Sequence, residues 1–125
     1  MKINEKGVNM EITAEIRDYL YKKLDHVEKF LDPNDQSILC DIELGKISNH
    51  HNKGDVFRTE INLHMAGKNL RAESEMEDIF ASIDIAKDEI VREIQSNKDR
   101  KVSLMKRGGA KIKNLIKGLF NSENN

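Results

Sequence analysis

Tryptophan is absent from these 125 residues, and cysteine and proline occur once each. With Tyr19, Tyr21, Phe30, Phe57, Phe80 and Phe120 as the whole aromatic complement, the core must be built mainly of Ile, Leu and Val. The single cysteine, Cys40, excludes an internal disulfide and fits a reducing compartment. Long apolar runs are also missing: none approaches the ~20 residues that span a bilayer, and no signal-peptide apolar region follows Met1-Lys2-Ile3-Asn4. A soluble, intracellular single domain is the expectation.

The usual signs of reaction chemistry are missing too. No G-x-x-x-x-G-K-[ST] or G-x-G-x-x-G stretch occurs, so the common phosphate-cradling loops are absent. His50-His51 has no cysteine or H-x3-H spacing nearby to complete a zinc site and reads as a solvated loop pair. Nothing orients His26, and His64 falls on a wet strand face. Cys40 alternates with Ile38 and Ile42 as a small buried hydrophobe does, not as a nucleophile, which needs exposure and a nearby cation. Asp78, Asp84 and Asp88 are helix-surface acids with no catalytic spacing. No enzyme activity, metal or cofactor is expected.

What is present is periodicity. Met1–Lys6 is β-compatible and Gly7-Val8-Asn9 reads as a turn. Thr13 caps a helix in which Ile16, Leu20, Leu24, Val27 and Leu31 recur at steps of three and four, up to Asp32-Pro33. From Ser37 the period becomes two, with Ile38, Cys40, Ile42 and Leu44 on one face. Lys46–Asp55 reads as a polar hairpin loop, and Phe57, Thr59, Ile61, Leu63 and Met65 alternate again. A tight turn at Ala66-Gly67-Lys68-Asn69 leads to Leu70, Ala72 and Ser74. Ser74 and Glu77 have capping-box spacing, which predicts a helix start near Glu75 or Met76. Ile79, Ile83, Ala86, Ile90 and Ile94 then form an apolar stripe. The prediction is an α+β, two-layer β-α-β-β-β-α sandwich, with a four-stranded sheet covered on one face by both helices.

Charge is unevenly distributed. Residues 1–97 hold 13 Lys/Arg against 20 Asp/Glu, a net of −7, whereas residues 98–117 hold eight Lys/Arg against Asp99, a net of +7. A basic segment leaving an acidic body suggests a polyanionic partner, nucleic acid or an anionic membrane; a solvated helix extension is the plain alternative. Gly108-Gly109 is expected to break the helix, with a second short amphipathic helix carrying Ile112, Leu115, Ile116, Leu119 and Phe120 beyond it. That stripe suits a membrane, a partner's groove, RNA, the domain's own surface or a second copy. Among RNA modes, base stacking on the open sheet is excluded. Its predicted wet positions are Leu39, Asp41, Glu43, Arg58, Glu60, Asn62, His64, Arg71 and Glu73, none aromatic. An RNA contact would instead use Lys and Arg of the helices and strand ends, reading phosphates and shape.

Thr13–Leu31, with Ile16-Arg17-Asp18-Tyr19-Leu20, Lys22-Lys23-Leu24 and Lys29-Phe30, followed by Leu70-Arg71-Ala72-Glu73 and Asp78-Ile79-Phe80-Ala81-Ser82-Ile83-Asp84, resembles the ribosome hibernation-promoting factor and ribosome-associated inhibitor family. The resemblance covers residues 1 to about 101 and implies a fold like a double-stranded-RNA-binding domain. It also implies a cytoplasmic, ribosome-associated role without cofactor. Such a protein seats on the small ribosomal subunit at the messenger and tRNA sites, touching 16S rRNA and ribosomal proteins, and silences ribosomes in stationary phase or stress. Carried over by position, its rRNA contacts fall on Lys22, Lys23, Lys29, Arg71, Lys87, Arg92, Lys98, Arg100 and Lys101, with Lys106, Arg107, Lys111 and Lys113 of the tail as further candidates. Glu89, Gln95 and Ser96 stand where relatives are often basic, so residues 98–117 are expected to supply much of the attraction. The implied organisation is a ribosome-binding domain over 1–101 and a basic tail over 102–125, a short form of the family. The rival readings are a protein-interaction regulator of the sigma-factor modulator type and a membrane-surface binder acting through the tail.

Overall fold

The computed structural model describes residues 1–48 and 54–124, with side chains described up to position 100, except 48, and at 106. His50-His51 and the tip of the predicted hairpin loop lie outside the described residues.

The elements are β1 (Lys2–Val8), α1 (Ala14–Glu28), β2 (Leu39–Ser48), β3 (Asp55–Met65), β4 (Lys68–Met76) and α2 (Ile79–Asn124). They form one sheet in the order β1-β2-β3-β4, with β1 parallel to β2 and the other neighbours antiparallel. The parallel pairing follows from the helical crossover through α1, and the two antiparallel pairings from short hairpins. Cross-strand rungs align the apolar positions: Cys40 with Leu63 and Leu70, and Ile42 with Ile61 and Ala72. This face packs against Leu20, Leu24 and Val27 of α1 and Ile83, Ala86, Ile90 and Ile94 of α2. Both helices therefore cover the same side of the sheet, as the alternation requires. Each fully buried Leu or Ile contributes about 1.5–3 kcal/mol.

Several boundaries differ from the sequence expectation. Helix α1 begins as predicted, with Thr13 accepting the Ile16 N–H at 3.3 Å, but it stops at Glu28. Its exit tightens through i→i−3 bonds from Lys29, Phe30 and Leu31 before Pro33 is reached. Strands β2 and β3 extend into the predicted loop, down to the Ser48–Asp55 rung. β1 runs on to Val8, and Asn9 takes the left-handed turn at φ 56°.

The start of α2 also lies later than expected. Ser74 is a strand residue opposite Thr59, and its hydroxyl is committed to the carbonyl of Ser82. The cap is Asp78, whose carboxylate accepts the Ala81 N–H at 3.1 Å. The pairing of β4 with β3 takes the residues that a helix starting at Glu75 would need.

Nor does α2 break at Gly108-Gly109; it continues as one helix to Asn124. Glycine costs about 1 kcal/mol relative to alanine in a helix interior, a penalty that flanking Lys, Arg, Ala and Leu residues can offset.

Candidate nucleic-acid interface

Helices α1 and α2 lie side by side and run in the same direction. Near their starts, the Tyr19 hydroxyl donates to the Asp84 carboxylate, 2.8 Å from each oxygen. The Tyr19 ring meets Phe80 edge-on, with centroids 5.0 Å apart. Lys23 Nζ lies 3.2 Å from Asp84 Oδ1 and 5.1 Å from the centre of the Tyr19 ring. The hydrogen bonding to Asp84 raises the pKa of both Tyr19 and Lys23 above their ordinary values. Farther along both helices, Lys98 Nζ of α2 donates to the Phe30 carbonyl at the exit of α1.

This framework sorts the predicted cations. Lys22 is exposed on α1 and Lys29 at its C-cap, seven residues apart and hence near one helical face. Lys23 is half-buried and its charge is committed to Asp84. On α2, Lys87 is largely buried, with Nζ 2.6 Å from Asp88, whereas Arg92, Lys98 and Arg100 are exposed. Lys106 is exposed as well; the side chains of Lys101, Arg107, Lys111 and Lys113 lie outside the described ones.

Arg71 is set apart from all of these. It projects from the open face of the sheet, opposite the helices, where it bridges Glu73 at 3.0 Å and Glu60 at 3.3 Å. Arg58 joins the same network at 2.8 Å from Glu73 and 3.1 Å from Glu60. The Arg58 hydrogen bond holds the Glu73 carboxyl below the usual carboxylate range. Asp41, His64 and Asn69 form a second chain on this face, with His64 3.1 Å from Asp41 and 2.9 Å from Asn69. Arg71 and its neighbours on the open face are thus paired with one another.

Sequence reasoning missed Lys68. It belongs to the β3–β4 hairpin, yet its Nζ reaches the Asn97 side chain of α2. Asn97 adjoins Lys98, which is bonded to Phe30, next to Lys29. Lys29, Lys68 and Lys98 are thereby gathered at one end of the domain from three separate parts of the chain, and Arg100 follows on α2. Glu28, Asp32 and Asp99 are exposed at the same end and dilute the patch. Only the contacts across 29 and 68 residues of chain reveal the grouping.

Among the described residues, no group of three or more His, Cys, Asp and Glu is placed to hold a metal ion. Burial, aided by the nearby Asp41 and Glu28 charges, pushes the Cys40 thiol up to about 12, so it remains protonated. What the helical end offers is several point charges on a firm scaffold, suited to phosphate contact.

A profile of the family described as "Sigma 54 modulation protein / S30EA ribosomal protein" matches residues 3–102. The chain belongs to this family. Among S30EA relatives, the ribosome hibernation promoting factor of Pseudomonas putida is 30% identical over 113 residues, 89% of this chain and 100% of that protein. The protein of the same name from Klebsiella oxytoca is 29% identical over 100 residues, covering 80% of this chain and 96% of its own. The N-terminal domain of Thermus thermophilus Protein Y superposes with a TM-score of 0.63 at 30% identity, covering 77% of this chain and 98% of that one. A ribosomal subunit interface protein from Coxiella burnetii shares the fold, with a TM-score of 0.64 at 19% identity over 79% of this chain and 99% of its own.

Within this S30EA domain, the stretch that carried the resemblance has a structural use. Ser82 of Phe80-Ala81-Ser82-Ile83-Asp84 is fully buried, and Asp84 ties α1 to α2. The motif marks how the helical layer is assembled, while the exposed cations lie elsewhere on it.

Proposed function

We propose that this chain is a ribosome-binding translation inhibitor. It seats on the small subunit with its helical layer against 16S rRNA at the messenger and tRNA sites, and promotes hibernation of ribosomes in stationary phase or stress. The protein acts in the cytoplasm, on ribosomes, by occupation and not by reaction. The observation that carries the reading is the gathering of Lys29, Lys68 and Lys98, with Arg100 following on α2, at one end of the helical layer in an S30EA-family domain. The names of the relatives support the ribosome as the partner. Lys22, Lys29, Arg92 and Arg100 are the exposed cations assigned to phosphate contact, and Lys98 both faces the rRNA and fixes the end of α1. Arg71, bound into the sheet network, is assigned a weaker part. Residues 1–101 form the binding domain in this reading, and the cations of 102–125 add long-range attraction.

The test is co-sedimentation with small subunits over a salt series. Affinity is expected to fall steeply with salt. Lys29→Glu/Arg100→Glu is expected to lower it and to reduce the log–log salt slope by roughly one for each phosphate no longer neutralised. Absence of binding at low salt, or an unchanged slope, would overturn the proposal. Capture of an alternative sigma factor in its place would favour the regulatory reading.

A further inference from the structure

Among the described side chains, the last buried ones along α2 are Ile94 and Asn97, and Lys98, Asp99, Arg100 and Lys106 are exposed. The helix nevertheless continues to Asn124, about 40 Å of backbone at 1.5 Å per residue. Helical phase places positions 101, 104, 108, 112, 115 and 119 along the same side of the backbone as the buried Ile83, Ala86, Ile90 and Ile94. Leu104, Ile112, Leu115 and Leu119 occupy four of those six positions, with Lys101 at the start of the stripe and Gly108 within it. Lys106, Lys113 and Lys117 fall on the opposite side. No Asp or Glu occurs between Asp99 and Glu123, against seven Lys and Arg.

An occupant must accept both an apolar stripe and a concentrated positive charge. RNA phosphates satisfy the charge but leave the stripe without a partner. A second copy of the helix would satisfy the stripe but juxtapose two like-charged stretches. A bilayer with anionic headgroups satisfies both, taking the apolar side into the acyl boundary and attracting the cations. Among the described residues no helix is long and apolar enough to cross a membrane, so the contact is in the plane of the surface.

We infer that the C-terminal half of α2 binds the surface of an anionic lipid bilayer. This goes beyond the ribosome reading and does not rest on it. The two surfaces share the exit cations but not the apolar stripe, so ribosome and membrane compete for the protein while depending on different side chains.

The test is flotation of the full chain with vesicles of mixed phosphatidylglycerol and phosphatidylcholine, beside vesicles of phosphatidylcholine alone. Binding is expected to the anionic vesicles, strongly reduced by salt, and weak to the neutral ones. Leu115→Asn/Leu119→Asn is expected to weaken it about tenfold or more, with small-subunit binding unchanged as the control for folding. Ile112→Asn provides an independent variant on the same stripe. No flotation at low salt, equal flotation with neutral vesicles, or full retention by the Asn variants would each overturn the inference. The last result would reduce the tail to a charge attractor. None of these outcomes bears on the small-subunit proposal, which has its own assay.

Discussion

Replacing Ser82 with alanine removes the centre of a buried hydroxyl cluster that joins α2 to β3 and β4. Ser82 Oγ donates to Thr59 Oγ1 at 2.8 Å, lies 3.0 Å from Ser74 Oγ and 3.3 Å from the Ser74 carbonyl, while Ser74 Oγ donates to the Ser82 carbonyl. Ser82 and Thr59 have no solvent exposure and Ser74 has 7%. The truncation leaves Ser74 its bond to the helix backbone but takes from Thr59 the donor that satisfies it. One unpaired buried hydroxyl costs about 1–3 kcal/mol, so Ser82→Ala is expected to lower stability by about 2 kcal/mol. Thr59→Val alone is milder, because Ser82 keeps its contacts to Ser74. In the double variant both members of the pair are apolar and no orphan remains, so its loss is expected to fall short of the sum of the single losses by about 1 kcal/mol. Urea denaturation of the four proteins of the cycle, analysed at constant m, measures that coupling. Additivity to within about 0.3 kcal/mol would refute the account, since distant or unlinked sites behave in that way.

Three further outcomes follow from the fold. Gly7→Ala places a Cβ 2.5 Å from the Met10 carbonyl oxygen, a backbone atom that must then shift, and is expected to cost about 1–3 kcal/mol in chemical denaturation; a loss under about 0.5 kcal/mol would show that the β1 exit yields freely. The thiol of Cys40 is raised from 9.0 to about 12, so between those values the unfolded chain has lost the proton that the folded one keeps, and stability falls as pH rises. Wild type is expected to lose about 1.4 kcal/mol per pH unit more than Cys40→Ala across that window, and parallel stability–pH curves would contradict this. Because Cys40 is fully buried, thiol-reagent labelling at pH 8 is also expected to proceed only at the rate of opening, and rapid labelling under native conditions would count against it.

The sheet and the core were legible in the sequence because each strand has one wet face and each helix one apolar stripe, patterns set by backbone geometry alone. Cys40, Ile42, Ile61, Leu63 and Ala72 could be assigned inward before any contact was known, and the rungs that align them confirm it. Boundaries were less legible where one side chain had two possible partners. Ser74 has the spacing of a helix cap, but in the fold it pairs across β3 and bonds to Ser82, so Asp78 caps α2. Local spacing carries no information about which competing long-range bond forms.

The candidate site divides in the same way. The sequence by itself determined that cations follow the second helix out of an acidic body, and that the open sheet holds no aromatic platform, because both are properties of composition along the chain. Only the tertiary structure decided which cations act together. It placed Arg71 in the Glu60 and Glu73 network on the far face, committed Lys23 to Asp84, and brought Lys68 to Asn97 beside Lys98 and Lys29. The parallel packing of α1 on α2 and the reach of the β3–β4 hairpin cause that grouping, and both arise from burying apolar faces far apart in sequence.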